Sequence, residues 1–310
     1  MARFLVTGGC GFIGSHLAEA LLAGGHQVRI LDNLSTGKRD NAPPGAELIV
    51  GNIIDRRTVD DCVGGTDGVF HLAAIASVER SRTDWVECHA VNLTGCVHIL
   101  DAARRTAIRP RVVYASSAAV YGDTGSTPLT EAERPRPVNA YGADKLGCEL
   151  HARVASLLHG VPTIGLRLFN VYGPRQDPSS PYSGVISIFL DRLSRRAPIE
   201  VFGDGQQVRD FIAVADVVRF FIAAMGAKDG LGEAFNVCTG RGTTILALAE
   251  ALANMLGVAP DIRSAPERPG DIRTSIGDPT RCEQVIGLKA RCSIRDGLFH
   301  LVEGGGGPAD

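Results

Sequence analysis

The sequence has no C-x-x-C pair, no His and Cys spacing of a zinc site, no run of one charge, and no apolar stretch long enough to span a bilayer. Each absence removes a class of function. Without close cysteine pairs, the eight cysteines at 10, 62, 88, 96, 148, 238, 282 and 292 read as reduced thiols rather than disulfides or metal ligands. Cys10, inside a glycine loop, reads as a small packing residue, and no metal site is expected. Thirty-two Lys and Arg against 34 Asp and Glu leave a formal charge of −2 with no basic tract. That argues against nucleic-acid or membrane-surface partners. A helical span needs about 20 apolar residues, and "MARFLVTGG" reaches glycine after one basic residue and a short apolar run. No targeting leader is therefore expected, and a cytoplasmic location is. Internal repeats are absent, and only "EGGGGPAD" at the end reads as a disordered tail.

What is present is a chain of 310 residues, long enough to bury about 75% of its unfolded surface without metals or disulfides. Its first half alternates short apolar strands ("RFLVTGG", "QVRILD", "ELIVG", "GVFHLAA", "RVVYASS") with helical patterns, the first from about Ile13 to Ala23. That order predicts an α/β fold: a Rossmann-type doubly wound parallel sheet. "VNLTGCVHILDAARR" and "ADKLGCELHARVASLL" repeat apolar residues at helical spacing and predict two long amphipathic helices. Past "TIGLRLFNVYGP" the alternation loosens, and Pro and Gly recur in "GPRQDPSSPYSG", "VFGDGQQ" and "SAPERPGD". A smaller mixed α/β domain is expected there, dividing the chain into 1–175 and 176–310. A strand near 208–240 rejoins the first part, since "EAFNVCTG" again reads as strand and turn.

In "TGGCGFIG", Gly8, Gly11 and Gly14 follow the first strand and open a helix. A pyrophosphate can approach backbone N–H groups at the positive end of such a helix. Glycines also make ordinary turns, but here strand and helix stand on both sides. Asp32 ends the second strand 18 residues after Gly14, where a carboxylate accepts both ribose hydroxyls of an adenosine. It would repel a 2′-phosphate, so NAD is expected over NADP, with Lys38 and Arg39 close by as the opposing signal.

Tyr141 and Lys145 are four apart in "NAYGADKLG" and share a helix face. Lowering a tyrosine pKa from about 10 to about 7 takes roughly 4 kcal/mol. A lysine ammonium at about 4 Å supplies that much at an effective dielectric of about 20. Y-x-x-x-K alone is a common accident, in which the tyrosine packs and the lysine is solvated. It acquires meaning beside a nucleotide loop and the serine pair of "VVYASSAAVYG", Ser116 and Ser117.

These stretches, with "DNLSTG", "LRLFNVYGPRQDP", "VRDFIAVADV" and "RPGDIRTSIGD", make the chain similar to the extended short-chain dehydrogenase/reductase family, and within it to nucleotide-sugar epimerases and dehydratases. The resemblance runs from Thr7 to Asp278 and implies a UDP-sugar substrate. It implies that Ser117 bonds the reacting hydroxyl, that Tyr141 is the base, and that Lys145 steers tyrosine and nicotinamide ribose. It extends the NAD site to Phe12, Ile13, Asn33, Asn52, Ile53, Leu72, Ala73, Ala74 and Asn92. It assigns substrate contacts to Asn170, Val185 and Phe202, a pyrophosphate clamp to Arg209 and Arg268, and a ribose contact to Asp271; planar guanidiniums suit that clamp.

Similar dehydratases place an Asp-Glu pair after the hydroxyl residue, and similar decarboxylases a glutamate, where this chain has Ala118 and Ala119. Without a second acid, the implied reaction is 4-epimerisation: hydride leaves to a tightly held NAD and returns to the opposite face of a 4-keto sugar. Ser275, four residues after Asp271, aligns with a bulky tyrosine in relatives restricted to UDP-glucose and UDP-galactose. A small residue there implies room for UDP-N-acetylglucosamine and UDP-N-acetylgalactosamine. Two departures stand out: Asn52 where an Asp is frequent, and Ala213 where a His is. A UDP-glucuronate epimerase or decarboxylase is the competing enzyme and an NAD-sensing regulator the competing non-enzyme, the latter disfavoured because Ser117, Tyr141 and Lys145 are all present. Relatives pair helices near residues 88–105 and 142–159, so a homodimer is expected.

Overall fold

Alternating side-chain direction along the first strand shows how the layers form. In the computed structural model, which describes residues 1–125, 127–178, 184–267 and 272–304, β1 (Arg3–Thr7) turns Phe4 and Val6 to one apolar cluster and Leu5 to another. Period-two projection from a strand buried on both faces requires helices on both faces. The chain supplies them in order: α1 (Phe12–Ala23), β2 (Gln27–Asp32), β3 (Glu47–Val50), α2 (Arg56–Val63), β4 (Gly68–His71), α3 (Val78–Thr83), α4 (Trp85–His89), α5 (Gly95–Arg105), β5 (Arg111–Ser117), α6 (Ala140–His159) and β6 (Thr163–Leu168). Then follow β7 (Asn170–Tyr172), α7 (Val185–Ser194), β8 (Ile199–Phe202), β9 (Val208–Ala213), α8 (Val214–Gly226), β10 (Glu233–Val237), β11 (Gly242–Thr244), α9 (Ile245–Leu256), β12 (Ile262–Ala265), β13 (Thr274–Ser275), α10 (Thr280–Ile286) and α11 (Ile294–Val302).

Seven strands form one sheet in the order β3-β2-β1-β4-β5-β6-β10, every neighbouring pair parallel. This is the Rossmann arrangement, with the order reversing between β1 and β4. Leu17 and Leu21 of α1 and Phe220 and Phe221 of α8 pack on one face. Val59 of α2, Ile99 of α5 and Ala152 of α6 pack on the other. β10 thus returns to the first sheet long after β6 has left it, pairing Glu233 with Ile164 through Val237 with Leu168. A smaller lobe is built around β9, which pairs with β7, β11 and β13, and a separate β8–β12 pair. Its core joins Phe189, Leu193, Phe211, Leu248, Leu252 and Leu298.

The first of the two predicted long helices is interrupted. Between α4 and α5 the backbone widens into a π turn over Ala90–Thr94, and Asn92 within it accepts from Ile75 N at 2.7 Å and donates to Ile75 O at 3.1 Å. The second is continuous as α6, capped by Asn139 through Gly142 N and closed by Gly160 at φ 65°. Among the described residues no helix is long and apolar enough to cross a membrane, and no acid, His and Cys cluster could hold a metal ion. Gly305–Asp310, most of the tail expected to be disordered, lies outside the described residues.

Candidate active site

A cleft of about 750 Å³ opens at the carboxyl ends of β1, β2, β4, β5 and β6, where an open parallel sheet binds ligands. Its lining brings together Gly8, Gly11, Phe12, Ile13, Gly14, Asp32, Asn33, Asn52, Ile53, Leu72, Ala73, Ala74, Ser117, Tyr141, Lys145, Asn170 and Val185. Asn92, Phe202, Arg209 and Ser275 lie outside that lining. Arg268 and Asp271 lie outside the described residues.

The glycine loop leaves no room for side chains. Gly8 sits at φ 71°, and a Cβ there would stand 2.8 Å from Ala73 N; one on Gly14 would overlap the Gly8 carbonyl oxygen. α1 starts after Gly11 with no side-chain cap on its first amides, so its positive end remains available to an anion. Beside it, Cys10 N donates to Asp32 Oδ2 at 2.9 Å and Leu34 N to Asp32 Oδ1 at 2.8 Å. These bonds hold a buried carboxylate at the strand end with lone pairs to spare for hydroxyl donors. The Cys10 thiol is pushed up to about 11, first by burial and then by Asp32, so it stays a protonated packing group. Lys38, which could have met a 2′-phosphate, pairs with Asp177 at 2.9 Å across the cleft. A collar of glycine backbone, a helix end free of a side-chain cap and an acid at the strand end fit NAD.

Asn52 Oδ1 accepts from Ile54 N at 3.2 Å, closing its own turn. Asn92, with both amide atoms committed to Ile75, shapes the loop beside the cleft from behind. His71, at the end of β4, is buried with Nδ1 2.8 Å from Thr7 Oγ1.

On the other wall, the α6 cap places Tyr141 in the first turn. Gly142 is required there because a Cβ would stand 2.5 Å from Ala119 O. Lys145 is buried, donates from Nζ to Ala115 O at 2.8 Å, and stands 5.8 Å from the Tyr141 ring centroid. The lysine is thus held by β5 as well as by its helix. The serine pair divides its work. Both serines line the cleft, but Ser116 is buried and donates to Glu149 Oε1 at 2.5 Å, whereas Ser117 Oγ accepts from Ala119 N at 3.1 Å. Ala118 and Ala119 form the turn after Ser117. Among the described lining residues the carboxylates are Asp32, Glu87 and Asp177, and Glu87 is bound to Arg80 at 2.9 Å. Asp32 and Asp177 stand by the glycine loop and Lys38.

Toward the smaller lobe, Asn170 donates from Nδ2 to Asp210 O at 3.1 Å. Arg209 and Ser275 are register partners on β9 and β13, and Arg209 donates to Val208 O at 3.0 Å. Ala213, where a histidine was the more frequent expectation, is buried in register with Tyr172 and packs in the core of that lobe.

The sequence and fold compare closely with known proteins. The NAD dependent epimerase/dehydratase family matches residues 4–238. A UDP-glucose 4-epimerase of Mycolicibacterium smegmatis is 36% identical over 307 residues, covering 97% of each chain. The crystal structure of the Thermotoga maritima UDP-glucose 4-epimerase with UDP-glucose superposes with a TM-score of 0.93 at 36% identity, covering 97% of each chain. A UDP-N-acetylglucosamine 4-epimerase from Methanobrevibacter ruminantium, in complex with UDP-N-acetylmuramic acid, gives 0.92 at 34% identity, again covering 97% of each chain.

Proposed function

The chain belongs to the NAD-dependent epimerase/dehydratase family, and from that premise we propose that it inverts carbon 4 of UDP-hexoses, taking UDP-glucose and UDP-galactose and also their N-acetylated counterparts. The observation that carries this reading is the composition of the catalytic wall. Ser117, Tyr141 and Lys145 converge on one cleft, while alanines follow the hydroxyl residue and no described carboxylate of the lining is left without a partner or a place on the nucleotide side. Among its described residues such a wall can move one proton and offers no second acid to expel water from the sugar.

Gly8, Gly11, Gly14 and Asp32 would hold NAD, whose chemistry there would be reversible hydride acceptance at carbon 4 of the sugar. Tyr141 removes the 4-hydroxyl proton and later restores it. Ser117 orients that hydroxyl, and Lys145, fixed by Ala115 O and 5.8 Å from the Tyr141 ring centroid, steers the tyrosine. Among the described residues, Tyr114, Tyr121 and Tyr172 are buried, and burial drives each above the ordinary tyrosine value, Tyr121 to about 12. They stay protonated at neutral pH. Residues 1–175 apart from β7, with the returning α8 and β10, act as the NAD lobe and the remainder with β7 as the sugar-nucleotide lobe, where Arg209, Arg268 and Asp271 would engage the nucleotide.

The test is interconversion assayed with UDP-glucose and with UDP-N-acetylglucosamine. Both are turned over without net accumulation of reduced nicotinamide. Tyr141→Phe loses roughly 100-fold to 10,000-fold in rate and keeps NAD bound; near-normal turnover would overturn the base assignment. Ser275→Tyr suppresses the N-acetylated substrate selectively by steric exclusion. Equal loss on both sugars would remove Ser275 as the gate.

A further inference from the structure

Behind the catalytic wall lies a buried, hydrogen-bonded set of polar side chains with no assigned role. Tyr141, Lys145 and Glu149 succeed one another at four-residue spacing along α6, one face of the helix. The first two face the cleft. Glu149, a turn further on, is buried and receives Ser116 Oγ at 2.5 Å. It is neutralised by Arg167 of β6, which donates from Nε to Oε1 at 2.9 Å and from Nη2 to Oε2 at 2.7 Å. Ser116 and Arg167 are register partners across β5 and β6. Arg167 then donates from Nη1 to the Tyr121 hydroxyl at 2.8 Å, with its guanidinium 4.9 Å from the Tyr121 ring centroid. Tyr121 in turn donates to Asn236 Oδ1 at 2.7 Å on β10.

The set grips Ser117 from both sides along the chain. Ser116 precedes it, and Tyr121 closes the short turn that follows it. The third grip is α6 itself, the carrier of the base, which is pinned to β5 at consecutive residues: Lys145 on Ala115 O and Glu149 on Ser116 Oγ. We infer that Glu149, Arg167, Ser116 and Tyr121 form a positioning unit that fixes the distance between the Ser117 hydroxyl and the Tyr141 phenol, and so sets the rate of proton transfer without touching substrate. A bidentate buried pair suits the task, because its fork geometry tolerates little sliding of α6 along β6, to which β5 is paired. This inference rests on the roles proposed for Ser117 and Tyr141.

Removing Glu149 or Arg167 would leave its partner as an unpaired buried charge and endanger folding. The test therefore uses Ser116→Ala and Tyr121→Phe, which leave the ion pair whole. Each should lower kcat for UDP-galactose to UDP-glucose conversion by about 10-fold to 100-fold, the scale on which small misplacements cost rate. KM and bound NAD stay within about twofold of wild type. The double variant should lose less than the product of the two single losses, because both release the same geometry. Wild-type kcat in both single variants would overturn the inference. So would losses that follow the fall in melting temperature and NAD content, since these would mark a purely structural set. Ser117→Ala and Tyr141→Phe run in the same assay separate the two levels. If they fall and the Ser116 and Tyr121 variants do not, the positioning unit fails alone; if they too retain wild-type rates, the catalytic reading beneath it fails.

Discussion

His71 ends β4 with its Nε2 buried and without a hydrogen-bond partner among the described residues. Burial, and after it the charge of Lys145, pushes its pKa down to about 3. The imidazole is therefore neutral in the folded protein at neutral pH. The same shift has a stability consequence. An unfolded chain takes up this proton near pH 6.5, the native protein only near 3, so the contribution is fully present above about pH 6.5 and is lost as pH falls toward 3. The slope is about 1.4 kcal/mol per pH unit for one proton. His71→Gln, compared with wild type by urea unfolding from pH 7 to 4.5, should show a shallower decline by that amount. Parallel curves would mean that His71 is protonated in the native state.

Between residues and elements, the glycine loop shows what was readable in advance. β1, α1 and β2 were legible because a buried strand, three glycines and a terminal acid lie within one short local unit, and each imposes its own pattern. Tyr141 and Lys145 were legible for the same reason, one turn apart on one helix. Glu149 was not: a glutamate on a helix reads as a solvated charge, and its partner Arg167 lies 18 residues away inside the apolar run of β6. Asn92 enters the sequence reading only through the family resemblance, as an NAD-site residue; its bonds to Ile75, 17 residues off, are contacts that no local pattern signals. The pairing of β10 with β6 also depends on a long-range contact, which periodicity signals only as one more strand. The legible unit yields its own prediction. Gly14→Ala forces a methyl into the Gly8 carbonyl, a backbone atom that cannot rotate away, and should weaken NAD binding by about 10-fold to 100-fold, or about 1.4 to 2.8 kcal/mol. Gly226→Ala, whose added Cβ meets nothing within 4 Å, serves as the control and should retain NAD. Fluorescence titration of the stripped proteins measures both.

At the scale of the whole molecule, α6 has two faces with different fates. The face bearing Tyr141, Lys145 and Glu149 is turned inward, and beside it runs a stripe of Leu150, Val154, Leu157 and Leu158 that remains in solvent, Leu157 at 68% and Leu158 at 76% exposure. α4 adds Trp85 at 66% and Val86 at 83%. Contiguous apolar side chains at i, i+4, i+7 and i+8 on a long helix mark a surface that another protein covers, and a second copy of the same chain offers the same stripe for an isologous contact. We propose a homodimer through α6 and the α4–α5 region. Light scattering at micromolar concentration should give twice the 32.7 kDa of one chain, and Leu157→Glu combined with Leu158→Lys should return the mass to that of a single chain. A single-chain mass for the wild type would refute the interface. Because the stripe and the catalytic residues share one helix, the split variant also reports on coupling. If α6 is held in register chiefly by its inward bonds to Ala115 and Ser116, the separated chains should keep bound NAD and most of their turnover.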